Sequence, residues 1–135
     1  MSDIVNDYTL LGQRYGRHLR IVLQDAAPVS WNTLYKQGHW TNRAEQVDAV
    51  RLEVMASLHE LAVFPDTFLN PVHITITSYK RGRAIDADNL AAKLYIDALK
   101  LNGLIVDDDP RWVAGVTTIS RVDRDNPRIE IDVME

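Results

Sequence analysis

Asp86, Asp88 and the run Asp107-Asp108-Asp109 stand close to the basic run Lys80-Arg81-Gly82-Arg83. Carboxylate oxygens are the donors that hard divalent cations take, and Mg²⁺ binds one or two of them together with water and substrate phosphate. Asp86 and Asp88 are two residues apart, so in an extended segment both side chains project to one side and can face one ion. Lysine and arginine beside such a site suit phosphate oxygens. The chemistry this pattern predicts is Mg²⁺-assisted cleavage of nucleic-acid phosphodiesters, with Mn²⁺ able to substitute. Each cluster alone has a simpler reading. Asp86-Ala-Asp88 could cap a helix, and Asp107-Asp-Asp109-Pro110 could be a solvated turn. Three adjacent aspartates also repel one another unless a cation offsets them.

The positioning elements follow from periodicity. His18 to Gln24 alternates and predicts a strand, and Asp25-Ala-Ala-Pro28 ends it. Val29 to Gly38 reads as an ordered loop with aromatic anchors. Asn42 and Glu45 suggest a capping box for a helix reaching about Ala62, with Val47, Val50, Val54, Leu58 and Leu61 as its apolar stripe. Val72 to Tyr79 alternates again. A second helix follows Asp88, with Leu90, Leu94, Ala98 and Leu101 inward, and stops at Asn102-Gly103. Trp112 to Ile119 and Arg128 to Val133 read as two strands joined by a turn through Asp125-Asn126-Pro127. The order β-α-β-α-β-β predicts a single α+β domain over residues 18–135, two helices on a small mixed sheet, behind an N-terminal extension of residues 1–17.

With these elements in place, the motifs show a resemblance. Asp86-Ala-Asp88-Asn89-Leu90, Asp97-Ala98-Leu99 and Gly103-Leu-Ile-Val-Asp107-Asp108 resemble the core motif of the RusA family of Holliday junction resolvases. Pro28-Val-Ser-Trp-Asn32 is similar to that family's segment after its first strand, and the likeness spans roughly residues 18–134. The resemblance implies a homodimeric, Mg²⁺-dependent endonuclease of phage or prophage type that cuts paired strands of a four-way DNA junction. It assigns catalysis to Asp86, Asp88 and Asp108, with Asp107 as a neighbouring metal ligand. The family's lysine falls four residues after the second aspartate, which is Ala92 here; Lys93 stands one residue further. One residue is about 100° of helix rotation, and a local bulge or extra residue at the helix start would turn Lys93 back to the site. Otherwise Lys93 pairs with Asp97 at i+4.

Lys80, Arg81, Arg83, Lys36 and Arg43 are the expected DNA contacts. Trp31, Tyr35, His39 and Trp40 add aromatic surface that could stack on unpaired bases, or serve as core or dimer contacts. His18, His39, His59 and His73 lack metal-ligand spacing and read as structural. No Gly-rich phosphate loop is present.

The bulk properties agree with this reading. A length of 135 residues, 46% hydrophobic and 25% charged, fits one globular domain. A net charge of −4 disfavours nonspecific coating of nucleic acid but not a nuclease whose cations are local. No cysteine is present, which excludes disulfides and thiolate metal sites. No apolar run approaches membrane-spanning length and the acidic N-terminus is unlike a signal peptide, so a cytoplasmic location and no membrane partner are expected. A junction-binding protein of the same fold without cleavage is the competing expectation.

Overall fold

The computed structural model describes residues 2–5, 9–10, 13–14, 16–36 and 40–135. A mixed sheet of five strands has the order β1-β4-β7-β5-β6, where β1 is Asp3–Val5, β4 is His18–Gln24, β5 is Val72–Lys80, β6 is Val113–Val122 and β7 is Arg128–Met134. A separate two-stranded pair joins β2 (Thr9–Leu10) to β3 (Gln13–Arg14). The helices are α1 (Trp31–Lys36), α2 (Trp40–His59) and α3 (Ala92–Leu101), and a 3-10 turn spans Ala87–Asn89. The architecture is α+β, with the core order β-α-β-α-β-β that the sequence pattern predicts. No described helix is long and apolar enough to cross a membrane.

Strand alternation drives the core. Leu19, Ile21 and Leu23 of β4, Ile74 and Ile76 of β5, and Ile129, Ile131 and Val133 of β7 are buried on one face. Val50, Val54 and Leu58 of α2 and Leu94, Ala98 and Leu99 of α3 close over them. Burying side chains of this size stabilises by roughly 1.5–3 kcal/mol each. The opposite face of the sheet is polar: the buried Asp132 carboxylate accepts from Arg20 Nε at 2.8 Å and lies 2.7 Å from His18 Nε2.

Two details differ from the sequence expectation, and two arrangements lie beyond it. The loop expected over residues 29–38 contains α1. Ser30 Oγ accepts the Thr33 N–H at 3.2 Å and Asn89 Oδ1 accepts the Asn32 N–H at 3.1 Å, so two of the otherwise orphaned helix-start donors find partners. The second helix starts at Ala92 rather than just after Asp88, because Leu90 leaves the 3-10 turn in extended conformation. Leu101 is therefore exposed, and Tyr95 and Leu99 take the inward positions with Leu94 and Ala98. Strands β6 and β7, joined by one turn, are not neighbours: β5 lies between them. That connection is pinned across the end of β5. The Asp123 N–H donates to the Lys80 carbonyl at 2.8 Å, Arg128 Nη1 reaches Asp123 Oδ2 at 2.9 Å, and the Arg128 guanidinium lies 3.7 Å from the Tyr79 ring centre. The segment read as an N-terminal extension contributes β1, which pairs antiparallel with β4.

Candidate metal and nucleic-acid site

Two stretches far apart in sequence meet at the start of α3. The Ala91 N–H donates to the Val29 carbonyl at 2.8 Å, Ser30 and Leu90 form a β-bridge, and the Val29 N–H donates to the Tyr95 hydroxyl at 3.1 Å. With the Asn32–Asn89 bond, these contacts tie the Pro28–Asn32 motif to the motif that begins at Asp86. The result is an open cleft of about 370 Å³ lined by Trp31, Asn32, Tyr35, Asp86, Asp88 and Asn89. Both aspartates are exposed, and among the described residues neither carboxylate accepts a hydrogen bond or joins an ion pair. Asp86 precedes the 3-10 turn without capping it through its side chain, so the simple helix-cap reading of this residue is not what holds it here. Trp31 and Tyr35 stack with ring centres 5.9 Å apart and planes at 20°.

The second acidic cluster lies along the flank of α3. Strands β5 and β6 are parallel neighbours, with Val72 opposite Val113 and Tyr79 opposite Arg121. The loop bearing Asp86 therefore leaves one end of the pair, and the Asp107–Asp109 loop enters at the other. Helix α3 crosses between them, and its lysines hold the acidic loop. Lys93 Nζ donates to Asp97 Oδ1 at 3.0 Å and also to Asp108 Oδ2, while Lys100 Nζ lies 3.0 Å from Asp107 Oδ1. Lys93, Asp97 and Lys100 fall at i, i+4 and i+7, one face of the helix. Lys93 thus makes the i+4 pair with Asp97 that its spacing allows, and the break before Ala92 means that Asp88 and Lys93 are not on one continuous helix.

The Lys93 hydrogen bond, with a further contribution from Asp107, pulls the Asp108 carboxyl below its ordinary range. Its partner Lys93 is raised, first by Asp108 and then by Asp97, and Lys100 is raised by Asp107. Asp107 Oδ1 also accepts the Asp108 N–H at 2.8 Å. Asp109 belongs to the turn: it binds Arg111 through Nε at 3.0 Å and Nη2 at 2.7 Å, and its carbonyl accepts the Trp112 and Val113 N–H groups.

The four expected metal ligands thus form two pairs. Asp86 and Asp88 share the cleft, Asp107 and Asp108 share the lysine face of α3, and among the described residues no three acidic or histidine side chains gather at metal-binding spacing. The donors in the cleft still fit a hard cation, being carboxylate oxygens with amide groups at the rim and no thiol in the chain. Arg81 and Arg83 are exposed in the loop before Asp86, and Lys80 ends β5. Arg43 lies elsewhere, in an apolar hollow with Val47, Arg51 and Leu101 near the far end of α3. Lys36 ends α1 and Trp40 begins α2, while His39 lies outside the described residues. His73 Nε2 is 2.8 Å from Thr117 Oγ1, and the His59 ring packs beside Phe64.

Asn32 and Asn89 were not singled out by residue chemistry. They are visible in sequence only as members of the two motifs, and the bond joining them spans 57 positions. No protein-family model matches the chain, and no curated protein matches it.

Proposed function

We propose that this chain is a Mg²⁺-dependent endonuclease that resolves four-way DNA junctions, acting as a homodimer in the cytoplasm. The observation that supports this most is the cleft in which the Trp31-Asn32 and Asp86-Ala-Asp88-Asn89 motifs meet. Asp86 and Asp88 would hold the cation, with Asp108 as a third ligand once Lys93 gives it up. A Mg²⁺ ion held there would supply positive charge at the scissile phosphate and a more acidic bound water. The Lys93 ammonium, leaving Asp108, then has phosphate oxygen as its natural acceptor, where it stabilises developing negative charge. Lys80, Arg81 and Arg83 hold the DNA backbone without reading sequence. Two copies would place two such sites on the paired strands of a junction.

A second reading is favoured by one specific observation, the separation of the carboxylates into two pairs with Asp107 and Asp108 already neutralised by lysine. In that reading the protein binds branched DNA and does not cut it. End-labelled four-way junction incubated with the protein and Mg²⁺ separates the two. Paired symmetric nicks that vanish in Asp88→Asn, with binding retained, are the expected outcome; binding with no nicks in either Mg²⁺ or Mn²⁺ would replace the first reading with the second.

A further inference from the structure

The stacked aromatic pair lies on the same cleft as the Asp86 and Asp88 carboxylates, and the geometry points to it as a platform for one unstacked nucleobase beside the phosphate at those two residues. This inference rests on the reading of the cleft as a DNA site and deepens it by naming what selects branched over duplex DNA.

Tyr35 is 71% exposed although its ring is large and mostly apolar. Leaving such a surface in water forfeits burial, so a ligand with a flat π-face has something to gain there. Trp31, half-buried, backs the Tyr35 ring with its plane tilted by 20°. The spacing i, i+4 would by itself help a helix, but α1 has only six residues and cannot persist without its tertiary caps. Those caps are Ser30 and Asn89, and Asn89 closes the turn that carries Asp88. The aromatic pair and the carboxylates are therefore braced against each other. Asn89 Oδ1 accepts the Asn32 N–H, the Asn89 amide nitrogen is a donor, and the exposed Asn32 lines the same cleft. Both suit the polar edge of a base.

Charge decides which nucleic acid fits. Two carboxylates on one wall repel a phosphate unless a cation lies between, so a ligand must offer a base to the aromatic wall and accept a metal at the phosphate. Paired bases keep their faces covered by their neighbours. A base at a branch point does not, and base-on-aromatic stacking is insensitive to base identity.

The test is a four-way junction carrying 2-aminopurine at the branch point, titrated with the full chain in Ca²⁺ and compared with a matched duplex. Wild type is expected to bind the junction with a change in 2-aminopurine emission. Tyr35→Ala should weaken junction binding by about tenfold or more, leave duplex binding unchanged and abolish the emission change. Tyr35→Phe should restore both, and Tyr35→Leu, which keeps apolar bulk without a π-face, should not. Equal affinity and emission for wild type and Tyr35→Ala would overturn the proposal, as would full rescue by Tyr35→Leu. Junction binding with the aromatic signature but without nicks in Mg²⁺ would remove the nuclease reading and keep the platform; nicks that depend on Asp88 but not on Tyr35 would do the reverse.

Discussion

Asp88 is exposed, accepts no described hydrogen bond, and shares its cleft with a second carboxylate. Replacing it by asparagine removes a repulsive charge and, among the described residues, no hydrogen bond or ion pair. The melting temperature of Asp88→Asn without metal should therefore match wild type or slightly exceed it, within the roughly 0.5 kcal/mol typical of surface changes. A clear fall in a thermal melt would instead make Asp88 a structural cap. Lys93 differs, because it satisfies Asp97 and Asp108 together. Its side chain is 44% exposed, so solvent screening limits the stability it provides to about 1 kcal/mol or less. Lys93→Met should show a small thermal shift and a large fall in single-turnover cleavage rate, of the 10²-fold order or more seen when one charge-stabilising group is lost. A cleavage rate unchanged in Lys93→Met would confine the residue to bracing the acidic loop.

Among the elements, α1 and the 3-10 turn depend on each other through few bonds. Asn89→Ala removes the acceptor for the Asn32 N–H. The loss of a helix-start partner costs about 1 kcal/mol, and it should lower junction affinity more than stability because Trp31 loses its bracing. Comparing the chemical-denaturation midpoint with binding affinity separates the two effects. Tyr95 provides a pH-sensitive counterpart. Burial pushes its hydroxyl up to about 12, outweighing the Val29 N–H that favours the ionised form. The folded value is raised above the unfolded one near 10, so the associated stability is complete below pH 10 and is lost as pH rises toward 12. That loss amounts to about 2 kcal/mol at pH 12. Tyr95→Phe should flatten this alkaline decline, with melts between pH 9 and 12 as the check; an unchanged slope would contradict it.

How far these elements could be read from sequence depended on whether their cause was local. β4 was legible over His18–Gln24 because the alternation of Leu19, Ile21 and Leu23 is itself the burial pattern. The α2 stripe at Val50, Val54 and Leu58 was legible for the same reason at helical period. Helix α1 was not, because one of its caps is Asn89, on another segment entirely. The placement of β5 between β6 and β7 was equally hidden, since a turn of the same length can join neighbouring or separated strands. In the candidate site, the residue types and the two motifs were legible. The pairing of Asp107 and Asp108 with Lys100 and Lys93 was not, because only the fold lays the acidic loop along α3.

At the scale of the whole molecule, a net charge of −4 means that attraction to DNA must come from a local field. Arg81 and Arg83 are exposed in the loop that leads to Asp86, and among the described residues no carboxylate pairs with either. Each phosphate contact adds about 0.9 to the slope of log affinity against log salt. Arg81→Ala with Arg83→Ala should reduce that slope by about 2 while leaving the cleavage rate at saturation close to wild type; an unchanged slope would move the DNA contact elsewhere. Sedimentation of the free protein should give the mass of a dimer, as paired nicks require. If the chain is such an endonuclease, the two acid pairs serve one metal centre. Anomalous diffraction from crystals of the protein with Mn²⁺ and a four-way junction tests it most directly. Manganese should be bound by Asp86 and Asp88, with Asp108 released from Lys93 and joined to the same ion or its neighbour. Manganese confined to Asp107–Asp109, or no manganese in the cleft while DNA is bound, would contradict it.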